Sequence, residues 1–365
     1  MRTQPQYFQS PFFCRIAVQC CTAFALSMGL WSHCQAATPP STASAALSTQ
    51  ETIDALTRAN QAVVGVQVEA AEGARSIENL GARRRGSGVV IGSDGLVLTI
   101  GYLMLEAQTI QIITQDKKTI PARAVAYDIA TGFGLIMPLL PLRGITPVVL
   151  GNLSDSKTGD ALMAGIGAQS GKDADVNMTQ LVSKRAFTGY WEYHIDTALF
   201  TSPPVENHSG VPLFNQRGEL LGIGSLFMQD AMGTATANTA RLPGNMFVPI
   251  DLLKPIMAEM TETGSSKPSK RPWLGLTSSE QAGRVQIVRV NKESPAQEAG
   301  LQAGDVVLAI DDAKVATLEA FYKKLWDRAA PDAQVKLTVL QGAEIKTIVL
   351  KPVDRMSTLR KATGI

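Results

Sequence analysis

The sequence predicts a mainly β protein, an all-β barrel or sandwich followed by a small α+β module. Short β-branched segments recur from Val63 to Ile250, with turn signals at intervals of about 8–12 residues. The stretch Gly264 to Lys270 (GSSKPSK) interrupts that pattern, and beyond it four strand-like runs surround one helix. Hydrophobic residues at 45% and charged residues at 18% can build a core, and 365 residues exceed one ordinary domain. Lys plus Arg total 34 against 32 Asp plus Glu, a balance that gives no electrostatic case for a nucleic-acid partner.

The amino terminus reads as a leader. Arg2 and Arg15 precede an apolar run, Ile16 to Trp31, and Cys34-Gln35-Ala36 supplies a small-x-small cleavage pattern. Residues 1–36 are therefore expected to be a signal peptide exporting the chain to the periplasm. An uncleaved amino-terminal anchor is the alternative, although the run is shorter than the roughly 18 residues expected of a spanning helix. Cleavage removes two arginines and no acid, leaving 32 positive against 32 negative charges and no reason for strong membrane association. All four cysteines, Cys14, Cys20, Cys21 and Cys34, lie in this leader, so the exported chain has no thiol for a disulfide or a Cys-based metal site. Lipidation of Cys34 is disfavoured because Trp31 stands where a lipoprotein signal normally has Leu.

Residues 37–52, rich in Ala, Ser, Thr and Pro, predict a flexible spacer. The first domain is expected over 53–263, with strands at Val63–Val68, Gly88–Ile91, Leu96–Ile100, Thr109–Thr114, Ala122–Tyr127, Ala161–Ile166, Gln180–Phe187, Val211–Phe214, Leu220–Leu226 and Asn245–Ile250. Ser93-Asp94-Gly95 and Asn215-Gln216-Arg217-Gly218 mark turns, and Arg83-Arg84-Arg85 reads as a solvated basic loop between the first two strands. Asp251 can cap a helix from Leu252 to Met260. After a flexible linker at 264–270, a second domain spans 271–354, with strands at Arg284–Val290, Val306–Ile310, Val335–Leu340 and Ile345–Leu350 and a helix from Leu318 to about Arg328. Residues 355–365 form a tail.

Two groups of residues resemble one family. Gly86-Ser87-Gly88-Val89-Val90-Ile91 with Asp94-Gly95 and Leu98-Thr99, then His208-Ser209-Gly210-Val211-Pro212-Leu213 with Gly218 and Gly222-Ile223, resemble the HtrA/DegP exported serine proteases. Trp273-Leu274-Gly275-Leu276, Ser294-Pro295-Ala296, Ala299-Gly300-Leu301 and Gly304 to Ile310 resemble that family's PDZ module. The resemblance runs from about Thr52 to Asp354 and implies a chymotrypsin-like double β-barrel followed by a C-terminal PDZ domain.

Position by position, the resemblance also implies a degenerate catalytic triad. Such chemistry needs a serine nucleophile, a histidine base and an aspartate that fixes the histidine tautomer. Asn207-His208-Ser209-Gly210-Val211-Pro212-Leu213 aligns with the family's nucleophile segment and keeps Ser209. Leu98-Thr99-Ile100-Gly101 leads to Tyr102 where the family has its histidine, and Asp128-Ile129-Ala130-Thr131 leads to Gly132 where it has the aspartate. The chain holds only His33, His194 and His208, so residues 53–150 offer no histidine to any local realignment. His208 adjoins Ser209, and neighbouring side chains diverge. His194 reads as a partly buried structural imidazole. Lys157, Lys172 and Lys184 are substitute bases without a motif. The backbone N–H groups of Asn207 and Ser209 stand where the family builds its oxyanion hole.

The family's PDZ module binds chain ends by strand addition. Leu274, Gly275 and Leu276 match its carboxylate loop, Arg271 would add charge attraction, and Phe321, Tyr322 and Leu325 would line the side-chain pocket; plain helix-to-sheet core is an equal reading for Phe321 and Leu325. The partners so implied are peptides or unfolded protein segments in envelope quality control. Relatives trimerise through amino-terminal aromatic contacts, but no Phe, Trp or Tyr occurs between Trp31 and Tyr102, which argues against that trimer. No motif calls for a cofactor or metal. Two functions follow: a pseudoprotease that acts by binding, and an active endopeptidase in which an unorthodox base serves Ser209.

Overall fold

Residues 47–233, 240–328 and 332–361 are described in a computed structural model of the chain. The expected leader, 1–36, and residues 37–46 of the spacer lie outside them. Helix α1 (Thr49–Gln61) begins inside the stretch expected to be spacer. A capping box starts it: the Glu51 N–H donates to Ser48 Oγ at 3.3 Å, and the Ser48 N–H donates to the Glu51 carboxyl at 2.8 Å.

Strands β1 (Val63–Ala70), β2 (Arg83–Val90), β3 (Val97–Ile100), β4 (Ala107–Ile113), β5 (Thr119–Tyr127) and β6 (Phe133–Pro138) close a barrel in the order β1-β2-β3-β6-β5-β4. The short helix α2 (Ile77–Leu80) sits between β1 and β2. A second barrel, β10-β11-β12-β9-β8-β7, is built from β7 (Ala161–Ile166), β8 (Asp175–Gly189), β9 (Tyr193–Ser202), β10 (Pro212–Phe214), β11 (Leu220–Met228) and β12 (Gly244–Pro249). Val64, Leu98, Phe133, Phe200, Phe214 and Val248 belong to one apolar core that runs through both barrels. Strands β6 and β9 were not among the expected segments. Both are buried along most of their length, so neither shows the alternation by which a half-exposed strand is recognised.

The expected helix at 252–260 is a 3-10 turn, Ile250–Leu252, followed by α3 (Met257–Thr263). Pro255 interrupts the run, and Asp251 accepts the Leu153 N–H at 2.8 Å instead of capping α3. Residues 264–270 are not a loose joint. Ser266 and Ser269 are buried, and both hydroxyls donate to the fully buried Asp128 at the end of β5.

The second domain carries β14 (Leu276–Gln281), β15 (Arg284–Val290), β16 (Val306–Ile310), β18 (Val335–Gln341) and β19 (Glu344–Leu350) in that spatial order, with β17 (Ala313–Lys314) pairing β16 and β14 at one edge. A separate pair joins β13 (Pro272–Trp273) to β20 (Val353–Asp354). Helices α4 (Pro295–Glu298) and α5 (Leu318–Trp326) complete the module. The tail folds back, its Arg360 N–H donating to Glu106 at 3.1 Å. Arg83–Arg85 lies in β2, and Arg84 is buried rather than solvated. No helix among the described residues is long and apolar enough to cross a membrane.

Candidate active site and peptide loop

Ser209 sits in a turn between β9 and β10 that both barrels hold. Its carbonyl accepts the Ser87 N–H at 2.9 Å, and the Gly210 N–H donates to the Gly224 carbonyl at 2.9 Å. Gly210 has φ 74°, and a Cβ there would lie 2.1 Å from the Ser87 carbonyl oxygen, so no other residue fits. Asn207 takes the left-handed conformation at φ 52°. Neither the Asn207 nor the Ser209 N–H has a protein acceptor among the described residues.

Tyr102 stands on the 3-10 turn Gly101–Met104 with its hydroxyl 2.7 Å from Ser209 Oγ and 2.9 Å from the Ser225 carbonyl oxygen. Burial pushes this phenol up to about 12, against a smaller lowering by its bond to Ser209. The Ser225 carbonyl can only accept, so the phenol proton is directed to it and the Ser209 hydroxyl donates to the phenol oxygen, an acceptor too weakly basic to remove the proton. Arg84 fixes the backbone of this segment, donating to the carbonyls of Tyr102 at 3.2 Å and Leu105 at 2.6 Å and to Ser76 Oγ at 2.7 Å. The sequence reading missed this role because a triple arginine looks like a solvated loop.

Gly132 has φ 88°, and the nearest atoms to a Cβ there would be those of Ile100 and Tyr193, at 3.6–3.9 Å. The nearby carboxyl of Asp128 is committed elsewhere, accepting the Thr131 N–H at 2.7 Å, the Thr131 hydroxyl at 2.6 Å and both serine hydroxyls of the 264–270 segment. No hydrogen bond is found from the His208 ring among the described residues, and burial pushes its pKa down. Lys184 donates to the carbonyls of Leu153 and Ser156, while Lys157 and Lys172 are exposed.

His194 lies on β9 of the second barrel, facing Glu319 of α5. Its Nδ1 is 2.8 Å from Thr188 Oγ1 and its Nε2 is 3.1 Å from Asp196. His194, Asp196 and Glu319 cluster closely enough to suggest metal ligands, but Lys323 already bridges the two carboxylates at 2.8 Å each, which makes the group an ion-pair network between β9 and α5.

On the second domain the N–H groups of Leu274, Gly275 and Leu276 converge, and they already have an acceptor. The Glu192 carboxyl, on the β8–β9 turn, takes them at 3.0, 2.8 and 2.8 Å. Gly275 has φ 87°, and a Cβ there would lie 2.2 Å from Ser294 Cβ. Phe321, Tyr322 and Leu325 are fully buried in the domain core. Arg271 stacks on Trp326, its guanidinium carbon 3.6 Å from the ring centroid, and burial pulls its pKa down to about 10. Glu192 was not singled out from sequence, because only the fold brings residue 192 to residue 275.

Comparison with known proteins agrees with this architecture. Residues 86–223 match the trypsin-like peptidase domain and residues 272–351 the PDZ domain. The chain is 27% identical to a "Probable periplasmic serine endoprotease DegP-like" of Halomonas elongata over 77% of this chain and 59% of the relative. A protein of the same description from Hahella chejuensis is 26% identical, over 72% and 55%. The chain thus spans a little over half the length of these relatives. It also resembles the "Putative serine protease HhoA" of Synechocystis, at 25% identity over 71% of this chain and 68% of the relative. Among solved structures, "HtrA-type protease AlgW with tripeptide" superposes with a TM-score of 0.51 at 19% identity, covering 85% of this chain and 97% of that one. The chain pairs a trypsin-like peptidase domain with a PDZ domain and is a homologue of the HtrA/DegP proteases in sequence and in fold.

Proposed function

We propose that the chain is a catalytically silent HtrA homologue that acts in the periplasm by binding peptides or unfolded protein segments through its PDZ domain, in envelope quality control. The observation that carries this reading is the Tyr102 hydroxyl, 2.7 Å from Ser209 Oγ, where a base is needed. With a pKa of about 12, only about one phenol in 10⁵ is ionised at pH 7. A positioned general base supplies about 10²–10⁴ in rate, and removing the histidine of a triad costs about 10⁶ in kcat. The serine hydroxyl alone is a weak nucleophile. The names of the relatives support a periplasmic setting, and the HtrA-type protease AlgW has been solved with a tripeptide and a decapeptide.

One observation favours the second reading, an active endopeptidase. Ser209 is kept, and its N–H and that of Asn207 have no acceptor among the described residues. Incubation of unfolded casein with the purified protein and with Ser209→Ala separates the two. The binding reading expects equal, background cleavage by both. Cleavage by the parent that the substitution abolishes establishes the endopeptidase.

A further inference from the structure

The β8–β9 turn occupies the second domain as a ligand would. Strand β14 pairs with β15 on one side only, and on its open side the Ser278 N–H donates to the Tyr190 carbonyl at 2.8 Å. Two residues further along, Glu192 sends its carboxyl into the N–H groups of Leu274, Gly275 and Leu276. The segment therefore runs antiparallel to β14 and toward the loop, the direction in which a chain end adds to a sheet edge. Its side-chain carboxyl stands where a terminal carboxylate would end. Further contacts hold residue 192: its N–H donates to Tyr322 Oη at 3.3 Å, and its carbonyl accepts from Arg271 at 3.5 Å.

Two further features show that the turn is built for this contact. Glu192 has φ 58°, a conformation that a three-residue hairpin loop normally gives to glycine, so the turn alone does not select glutamate. The residue is only 5% exposed, and a carboxyl so buried is stable only where donors converge on it. The loop supplies those donors.

We propose that the PDZ loop is a filled site whose ligand is the chain's own Glu192, and that a peptide with a free α-carboxylate binds by displacing the turn 190–192. This rests on the reading that the domain takes chain ends, and it adds that ligand binding is coupled to release of the second barrel. Displacement breaks the contacts that α5 makes with β9, Lys323 to Asp196 among them.

The test uses the purified protein, Glu192→Ala and Glu192→Gln, with folding checked by circular dichroism. The probe is a labelled decapeptide carrying residues 183–191 of the chain followed by valine, with a free α-carboxylate and, as control, a terminal amide. Fluorescence anisotropy is expected to show Glu192→Ala binding the carboxylate peptide at least about tenfold more tightly than the parent, with Glu192→Gln between them and the amide bound by none. Hydrogen exchange without peptide is expected to be at least about tenfold faster at residues 274–276 in Glu192→Ala. Equal affinities and equal exchange in parent and Glu192→Ala overturn the internal ligand while leaving the chain-end reading intact. Faster exchange with no peptide bound by any variant upholds the internal ligand and removes the chain-end reading.

Discussion

Asp128 offers the sharpest test of how the two domains are joined. Its carboxyl is fully buried and accepts from the Thr131 N–H, the Thr131 hydroxyl, Ser266 and Ser269. Ser269 in turn accepts the Ile129 N–H at 2.7 Å, so that hydroxyl is held in place from both sides. Asp128→Ala removes the acceptor from four donors at once. A buried donor left unpaired costs about 1–3 kcal/mol, but hydroxyls can rotate toward other acceptors, so a total of about 3–5 kcal/mol is expected. Asp128→Asn keeps one oxygen acceptor and adds an amide that the hydroxyls can accept, for about 1–2 kcal/mol. Ser266→Ala should cost about 1 kcal/mol. Urea unfolding followed by tryptophan fluorescence gives the three values. A loss below about 0.5 kcal/mol in Asp128→Ala, or Asp128→Asn falling below Asp128→Ala, refutes the view that this carboxyl fixes the 264–270 segment.

Other consequences follow from the same geometry. Tyr102→His combined with Gly132→Asp puts a base and a carboxylate at the two altered positions, the aspartate at a φ of 88° that costs about 1–2 kcal/mol of stability, and casein turnover should rise by about 10² or more over the parent; Tyr102→Phe should show the same background as the parent, and turnover in the parent that this substitution lowers tenfold would show that the phenol takes part. Tyr102 ionises near its ordinary value of about 10 when unfolded and at about 12 when folded, so its contribution to stability is complete below pH 10 and is lost as pH rises to 12. Urea titrations across that window should show the parent losing up to about 2–3 kcal/mol more than Tyr102→Phe. Arg84→Met frees the carbonyls of Tyr102 and Leu105 from their donor and should cost about 2–4 kcal/mol by thermal or urea unfolding, with no change expected for the exposed Arg85.

Much of the fold is legible where a strand has one wet face. β4 and β5 expose part of one face and were read within a few residues from their alternation and turns. β6 and β9 were not, because burial on both sides removes the alternation. The start of α1 lies in a stretch whose Ala and Ser content suggests a spacer, yet Ser48-x-x-Glu51 is a capping box that could have been noticed. The segment 264–270 reads as flexible from composition, and its order comes from a partner more than 130 residues away. At the candidate site, Ser209, Tyr102 and Gly132 were found by resemblance, and the contact between Tyr102 and Ser209 joins residues 107 apart. Arg84 and Glu192 were missed for the same reason: each is a charged side chain whose burial depends on backbone groups that only tertiary structure assembles.

The claim on which the function rests is that nothing near Ser209 accepts its proton. Mass spectrometry of the intact protein after exposure to a fluorophosphonate at neutral pH measures this directly. The account predicts no adduct in the parent beyond the trace that Ser209→Ala also accumulates. Stoichiometric modification of Ser209 within minutes contradicts it.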